Sequence, residues 1–385
     1  MSEWKKVKLG DITSIKTGKL DSNAAVPNGA YPFFTCDPTT LSIDKWAYDT
    51  EAILLAGNNA SGNYTAKYYK GKFNVYQRTY IIETLDPQFA SVRFMAYAMN
   101  QQLQLLKVMS SGSTTKFLTM KMLTQLSINL PSIETQNCIA TILSRYDSLI
   151  ENYQKQIKLL EEAAQRLYKE WFVDLRFPGH EKTKIVNGLP DGWIASNLGQ
   201  LAEFKRGKTI TKKEIIDGTI PVVAGGLDPA YYCNKSNTTD RVITVSGSGA
   251  NAGFTRMYFE KVWASDCSFA DKATTPFLHF VYCYLKDNNT TIVNMQKGSA
   301  QPHVYAKDIN ALPLNIPTDI ILNTFEKRAS LYYNSVSALT KQIRFLTEAR
   351  DRLLPKLMSG EIEVGGDGLK GQQSVSPMAT PWVRK

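Results

Sequence analysis

The sequence predicts an α+β protein in which two similar, mainly β domains alternate with two long helices that pack antiparallel as a coiled coil. One observation behind this prediction is an internal repeat, since nearly the same wording occurs twice along the chain. Another is a sustained heptad period near the end of each copy, which is typical of coiled-coil helices. A length of 385 residues fits two or three domains of ordinary size.

The repeat is carried by several separated stretches that keep their order. "WKKVKLG" at 4–10 returns as "WIASNLG" at 193–199, and Gly18-Lys19 returns as Gly207-Lys208. "GSTTKFLTMKMLTQLSINLP" at 112–131 aligns with "GSAQPHVYAKDINALPLNIP" at 298–317. We therefore expect one structural unit, duplicated, with an internal pseudo-two-fold relation.

The first part of each copy is predicted to be a mixed, mainly β domain. Short β-branched runs such as "EAILLAG", "RTYIIET" and "DRVITVSG" are separated by turn residues, which indicates strands. Two stretches favour helices, "SVRFMAYAMNQQLQLLK" and "PFLHFVYCYLKD". Each domain is expected to close on a strand that a proline stops, "LSINLP" or "LPLNIP".

The second part of each copy is predicted to be one long helix. The stretch "IKLLEEAAQRLYKEWF" at 157–172 returns as "IRFLTEARDRLLPKLM" at 343–358, and its apolar positions recur in alternating steps of four and three. The predicted helix–helix seam comprises Tyr146, Ile150, Tyr153, Ile157, Leu160, Ala164, Leu167 and Trp171 in the first helix and Tyr332, Val336, Leu339, Ile343, Leu346, Leu353 and Leu357 in the second. Arg350 stands where the first copy has Ala164, so the seam is not expected to be dry there. The alternative is that each helix packs only on its own domain.

These patterns divide the chain into five predicted segments. The first domain is placed at residues 1–131, a central helical spacer at 132–178, the second domain at 179–317, a distal helical spacer at 318–360 and a flexible tail at 361–385.

Composition points to a nucleic-acid partner. The 45 Lys and Arg exceed the 35 Asp and Glu, leaving a formal charge of +10 that lies mostly in the two mainly β blocks. The 5 cysteines are scattered without a C-x-x-C pair, which disfavours a zinc site or a disulfide framework. Neither a signal peptide nor a membrane span is apparent, so we expect a cytoplasmic protein without a membrane partner.

Three pairs of loops offer the chemistry of DNA binding. The basic turns around Gly18 and Gly207 can meet phosphates, or they are ordinary solvated turns; the glycine pattern of a nucleotide-binding loop is missing. The glycine-rich loops "AGNNASGNY" and "SGSGANAGFTR" carry polar side chains that could read bases, or they are structural Ω-loops. The loops "SSGSTTKF" and "QKGSAQPHVY" differ between flanks that agree, as readers of different targets would and as drifting loops also would. The candidate DNA-binding residues are Lys16, Lys19, Asn58, Asn59, Arg78, Thr114, Thr115, Lys116, Lys205, Arg206, Lys208, Ser248, Asn251, Arg256, Lys297, Gln301 and His303.

Catalytic and metal sites are not predicted. The 3 histidines lie far from one another and from cysteines at ligand spacing, and the motifs of amino-methyltransferases, serine hydrolases and zinc peptidases are missing. This pattern favours a non-catalytic DNA reader, the alternatives being a self-contained DNA methyltransferase or nuclease, or a coiled-coil adaptor without DNA.

The layout resembles the DNA-specificity subunit of type I restriction-modification systems. The resemblance rests on "LPSIETQNCIATIL", "RLYKEWFVDLRFPG", "GLPDGW" and "RLLPKLMSGEIEV", which occur in this order, and it covers residues 1–364. It implies that each mainly β domain is a target-recognition domain for one half of a bipartite site in double-stranded DNA. The paired helices would set the gap between the halves.

The same resemblance implies partners and cofactors. Two modification (methyltransferase) subunits would dock on this chain, and motor and nuclease restriction subunits would join them. S-adenosylmethionine, ATP and Mg²⁺ would belong to those partners, and this chain would hold no cofactor and no metal of its own.

Overall fold

The computed structural model describes residues 4–59, 64–109, 116–211, 215–297, 302–365 and 368–369. The chain divides into two compact units. Unit 1 comprises Met1–Ile150 and Phe345–Lys385, and unit 2 comprises Glu151–Arg344. Unit 1 is therefore built from both ends of the chain, whereas unit 2 is one continuous segment.

Both units mix short strands with a few helices. In the described residues the helices are α1 (Leu9–Ile12), α2 (Val92–Met109), α3 (Met120–Gln125), α4 (Ile133–Tyr168), α5 (Leu198–Leu201), α6 (Leu278–Asp287), α7 (Asn289–Asn294), α8 (Ala306–Asn310) and α9 (Asp319–Met358). A π-helical turn, Lys169–Val173, continues α4. The strands of unit 1 are β1 (Lys5–Lys8), β2 (Thr13–Thr17), β3 (Tyr31–Phe34), β4 (Leu41–Ile43), β5 (Tyr48–Ala56), β6 (Asn58–Asn59), β7 (Ala66–Val75), β8 (Thr79–Thr84), β9 (Lys116–Phe117), β10 (Ser127–Leu130), β22 (Val364–Gly365) and β23 (Gly368–Leu369). Those of unit 2 are β11 (Ile185–Val186), β12 (Leu189–Pro190), β13 (Ile194–Asn197), β14 (Lys205–Arg206), β15 (Ile220–Val223), β16 (Tyr231–Cys233), β17 (Val242–Ser246), β18 (Thr255–Tyr258), β19 (Trp263–Ala264), β20 (Cys267–Asp271) and β21 (Pro313–Ile316).

Unit 1 is organised around a sheet with strand order β2-β8-β5-β7-β3-β4. β5 lies between β7 and β8, and its residues 52–55 are buried. Helix α2 packs on this sheet, and both contribute to a core that also holds Ile139 and Leu143 of α4 and Leu357 of α9. The beginning of α4 and the end of α9 are therefore part of the core of unit 1.

Unit 2 repeats this plan with its sheet divided in two. One sheet has the order β14-β20-β17-β18 and the other β16-β15-β19. Helix α6 is buried on nearly every residue and contributes to a core with Ala164 and Tyr168 of α4 and Phe325 and Tyr333 of α9. The same kind of domain is thus built from the second copy of the sequence.

The predicted repeat is confirmed strand by strand. β1 pairs antiparallel with β10 in unit 1, and β13 pairs antiparallel with β21 in unit 2. β8 lies between β2 and β5, as β20 lies between β14 and β17. The predicted helices and closing strands correspond to α2, α6, β10 and β21. The fold class is α+β, with two similar mixed domains and two long helices.

The two long helices run antiparallel in each unit. In unit 2, Tyr168 and Trp171 near the end of α4 contact Phe325 near the start of α9. In unit 1, residues of the first turns of α4 share a core with Leu357 at the end of α9. The residues of the predicted seam are half-buried or buried, and most residues between them are exposed. Helices α4 and α9 have 36 and 40 residues, about 54 and 60 Å at about 1.5 Å per residue.

Arg350 introduces a polar network into unit 1. Its Nη1 lies 2.7 Å from Oδ1 of Asp147, whose other oxygen accepts a hydrogen bond from the Tyr97 hydroxyl. Burial and the Asp147 carboxylate raise the pKa of Tyr97 well above its usual value, so the phenol stays protonated as the donor. The guanidinium is thus paired inside the helix contact.

Unit 2 has an uncharged set of side chains at the equivalent places. Ala164 replaces Arg350, Tyr333 replaces Asp147 and Cys283 replaces Tyr97. The Cys283 sulfur lies 3.3 Å from the Tyr333 hydroxyl, and all three side chains are buried. The two units therefore fill equivalent packing positions with different side chains, a charged network in unit 1 and uncharged residues in unit 2.

Candidate nucleic-acid interface

Three separate segments of unit 1 meet at the end of β5, and we name them the first loop cluster: Gly57–Asn59, Arg78 and Lys116–Leu118. The Gly57 amide donates to the Arg78 carbonyl at 2.8 Å, and the Leu118 amide donates to the Gly57 carbonyl at 2.9 Å. Asn58 and Asn59 pair antiparallel with Phe117 and Lys116. Backbone hydrogen bonds thus join loops that are far apart in sequence.

Unit 2 contains the same arrangement, which we name the second loop cluster: Gly247–Gly249, Asp266 and Pro302–Val304. The Gly247 amide donates to the Asp266 carbonyl, and the Val304 amide donates to the Gly247 carbonyl, both at 3.1 Å. The Gly249 amide donates to the Pro302 carbonyl at 3.0 Å. The hydrogen-bond pattern of the first loop cluster is therefore reproduced with different residues.

A glycine holds the basic turn of each unit against its loop cluster. The Gly18 amide donates to the Thr79 carbonyl at 3.2 Å, and the Gly207 amide donates to the Cys267 carbonyl at 2.8 Å. A Cβ at Gly18 would lie 2.1 Å from the backbone carbonyl oxygen of Val75. A Cβ at Gly207 would lie 2.3 Å from the backbone carbonyl oxygen of Ser265. Only glycine permits so close an approach. Lys19 and Lys208, which follow, are exposed.

The side chains of the second loop cluster centre on Asp266. Its carboxylate accepts a hydrogen bond from the Ser248 hydroxyl, and Nη2 of Arg206 lies 3.9 Å from its other oxygen. Asp266 is 38% exposed and Arg206 is 70% exposed. A recess of about 20 Å³, room for about one water, lies between Arg206, Asp266, Ser268 and His303.

The floor of this recess carries no charge of its own. Burial raises the pKa of the Cys267 thiol to about 12, so the sulfur remains a neutral thiol at physiological pH. Ser268 beside it is buried. The ionic character of the recess therefore comes from Asp266 and Arg206 at its rim.

An aromatic pair extends the second loop cluster. The rings of His303 and Tyr305 are nearly parallel, with centroids 5.9 Å apart, and Tyr305 is exposed. Lys297 exchanges backbone hydrogen bonds with His303, and its Nζ lies 2.8 Å from the Asp308 carboxylate. Cationic, aromatic and hydrogen-bonding side chains thus share one surface.

The structure brings together some of the predicted residues and not others. Asn58, Asn59, Arg78 and Lys116 meet in the first loop cluster, and Arg206, Ser248, Lys297 and His303 meet in or beside the second. Lys205 and Arg206 do not lie in a turn as expected, because they form β14 and pair with β20, and both are exposed. Thr114, Thr115 and Gln301 lie outside the described residues.

Three further candidates lie apart from these contacts. Nζ of Lys16 is 2.6 Å from the Glu83 carboxylate on the neighbouring strand. Asn251 is half-buried in a turn, where its carbonyl accepts from the Phe254 amide. Arg256 donates to the Leu227 carbonyl at 2.8 Å and lines a separate cavity of about 470 Å³.

That separate cavity of unit 2 contains a half-buried carboxyl, Glu161 of α4. Burial raises the pKa of Glu161, and the charges of Lys286 and Arg256 oppose this shift. Arg256 is thus better placed to balance the charge of Glu161 than to join the second loop cluster.

Sequence reasoning missed Asp266 and Tyr305. The signal for Asp266 was present, because it stands where the first copy has Arg78, but the alignment needs a gap to show it. Tyr305 follows a loop whose two copies differ, and its exposure could not be read from the sequence.

Across the residues that the structure covers, three or more His, Cys, Asp or Glu side chains nowhere gather as a metal site would require. Among the described helices, none is both long and apolar enough to cross a membrane.

Comparison with known proteins gives several matches. The family described as type I restriction modification DNA specificity domain matches residues 1–162 and 190–323. The EcoDI specificity subunit of Escherichia coli is 32% identical over 225 residues, 52% of this chain and 49% of that protein. A putative type I specificity subunit of Mycoplasma pneumoniae is 25% identical over 374 residues, 92% of this chain and 96% of that protein.

One solved structure resembles the fold. The crystal structure of the S subunit of a type I restriction-modification system from M. genitalium has a TM-score of 0.61 at 22% identity and covers 92% of this chain and 96% of that one. The match to the EcoDI subunit spans about half the length of that relative. The family match itself extends over both copies of the repeat and over more than half of the chain. The chain therefore belongs to the type I restriction modification DNA specificity domain family.

Proposed function

We propose that this chain is the sequence-reading subunit of a type I restriction-modification complex. Each of its two mainly β domains reads one half of a bipartite site in double-stranded DNA, and the long helices hold the two readings at a fixed separation. The observation that carries this proposal is the repeated loop cluster, in which one backbone pattern presents different side chains in the two units. A single duplicated scaffold with two different surfaces suits a target with two different halves.

The charge of the protein supports this proposal. A formal charge of +10 favours association with a polyanion. In the second loop cluster, Arg206 offers a cation to phosphates or to guanine, while Ser248 and Asp266 offer hydrogen-bonding groups to base edges.

The reaction itself is assigned to partner subunits. Two modification subunits would dock on this chain and use S-adenosylmethionine for methyl transfer. Restriction subunits would add DNA translocation and cleavage with ATP and Mg²⁺. The proposal places the complex in the cytoplasm, where it meets both host and foreign DNA, and gives this chain no catalytic group.

The test is methylation-sensitive sequencing of DNA from cells that make this chain with its modification subunit. We expect methylation at a two-part sequence with a gap of fixed length and unspecified bases. Cells with the modification subunit alone are the control and should lack this methylation. An uninterrupted methylated motif, or methylation that does not depend on this chain, would contradict the proposal.

A further inference from the structure

We propose that Asp266 is a specificity-determining residue that accepts a hydrogen bond from the exocyclic amino group of cytosine or adenine, and that Arg78 is its counterpart for guanine. The inference rests on the proposed function, because it names the base chemistry that each domain reads. It goes further in assigning opposite recognition chemistry to the two domains at one equivalent position.

The equivalence of Arg78 and Asp266 is a matter of backbone geometry. The carbonyl of each accepts the amide of the glycine that opens its loop cluster, Gly57 at 2.8 Å or Gly247 at 3.1 Å. Each also stands directly before a strand, β8 or β20. The carbonyl of the first residue of that strand accepts a hydrogen bond from the amide of the glycine in the basic turn. The two side chains thus start from the same place on the scaffold and differ in charge.

Asp266 presents only acceptors to a ligand. The Ser248 hydroxyl donates a hydrogen bond to the carboxylate, so the lone pairs of the serine oxygen remain available as an acceptor beside it. The carboxylate is 38% exposed and is therefore accessible. Arg206 lies 3.9 Å away, so its charge offsets the repulsion that a carboxylate would otherwise meet near DNA phosphates.

An acceptor surface of this kind selects among bases. In the major groove cytosine and adenine present amino donors, whereas guanine and thymine present carbonyl acceptors at the corresponding place. A carboxylate therefore binds cytosine or adenine and repels guanine or thymine. Arginine has the opposite preference, since its donors match N7 and O6 of guanine. The two half-sites should consequently carry different bases at this position.

Two variants test the assignment in the intact complex. Asp266→Asn keeps an acceptor for Ser248, preserves the shape of the side chain and adds amide donors. It should relax one position of one half-site, so that discrimination against guanine or thymine there falls by about 5- to 150-fold. Arg78→Gln should shift one position of the other half-site from guanine towards adenine. Each untouched half-site is the internal control of the other variant.

A matched charge change serves as a further control. Asp240→Asn removes the same charge from unit 2 at an exposed carboxylate that pairs with Lys272, 3.0 Å away. It should leave every position of the methylated sequence unchanged. Thermal unfolding of the three variants should agree with that of the wild-type chain, so that recognition is measured on folded protein.

The readout is the methylated sequence and the rate at each single-base variant of it. If the Asp266→Asn complex methylated the same DNA sequence with the same discrimination as the wild-type complex, the proposal would be overturned. A slower rate that is uniform over all sites would also overturn it, because Asp266 would then only hold the loop. If the wild-type complex methylates no bipartite site, the proposed function fails first, and that result is distinct from either of these.

Discussion

Arg350 shows how one residue distinguishes the two halves of a duplicated helix pair. A guanidinium inside a helix contact is stable only when its charge is paired and its donors are used. Asp147 and Asp351 provide both, at 2.7 and 2.8 Å. In unit 2 the smaller Ala164 allows Cys283 and Tyr333 to fill the same position. Neither set could be exchanged one residue at a time without leaving a charge or a cavity.

Arg350→Ala should destabilise unit 1 by about 1–2 kcal/mol, since it leaves the Asp147 carboxylate half-buried without its partner. This value lies between about 0.2–1 kcal/mol for exposed pairs and about 3–5 kcal/mol for loss of one partner of a fully buried pair. Asp147 is 38% exposed and Arg350 28%, which places them between these cases. Urea unfolding of the variant and the wild-type chain measures the difference.

The control is Arg352→Ala on the same helix, where an arginine that is 78% exposed pairs with Glu348. This change should stay within about 0.5 kcal/mol of the wild-type protein. The triple exchange Tyr97→Cys, Asp147→Tyr and Arg350→Ala copies the uncharged set of unit 2 into unit 1 and should recover stability relative to Arg350→Ala. If the triple variant were less stable than the single one, the two sets would not be interchangeable solutions.

At the same scale, the candidate interface could be predicted only in part. Loop composition and the repeat identified Asn58, Ser248 and His303, because polar residues in glycine-rich segments stand out in a sequence. Asp266 was not among the predicted residues, because its equivalence to Arg78 appears only when a gap is placed in the alignment. The role proposed for it depends on a serine and an arginine that only folding brings close to it.

Among the elements, the long and strongly periodic ones were predictable. Helices α4 and α9 follow from a seam sustained over many turns, and β5, β8 and β17 follow from runs of β-branched and aliphatic residues between turn residues. Burial on one face fixes such elements through local pattern alone.

The two-residue strands could not be predicted. β6, β9 and β14 have too few residues to show any period, and each exists because a distant segment offers backbone partners. Nor could the sequence predict that each long helix contributes residues to the cores of both units. A seam of heptads indicates a partner helix but does not indicate which domain surrounds it.

For the whole molecule, the proposed function makes the length of the helices a determinant of the DNA target. Four helix-forming residues inserted midway through α4 add about 6 Å, close to one turn, and so disturb the seam little. The gap between the half-sites should lengthen by about one or two base pairs, given about 3.4 Å per base pair. Both half-sites should remain unchanged in methylation-sensitive sequencing.

The matched control replaces residues in the same stretch without changing its length. Lys155→Ala is suitable, because this lysine is exposed and pairs along the helix with Glu151. It should leave the gap as it is. An insertion that changed the bases of a half-site would assign recognition to the helices themselves.

The discontinuity of unit 1 has a consequence for how the chain is made. Its core includes Leu357 and Val364, and the Cys138 thiol donates to the Gly365 carbonyl at 3.2 Å. These last residues leave the ribosome after all of Glu151–Arg344, which forms unit 2 without them. The domain that is begun first can therefore be completed only after the whole of the domain that is begun second has been made.

We therefore expect chains stalled after Arg344, with a linker long enough to clear the exit tunnel, to protect unit 2 from protease while unit 1 is still cleaved. Chains extended through Leu369 by the same linker are the control and should protect both units. Equal protection of the two units in the shorter chains would show that unit 1 can fold without the segment that follows Arg344. Otherwise, a stop codon within α9 would damage unit 1, most of which is encoded upstream of unit 2.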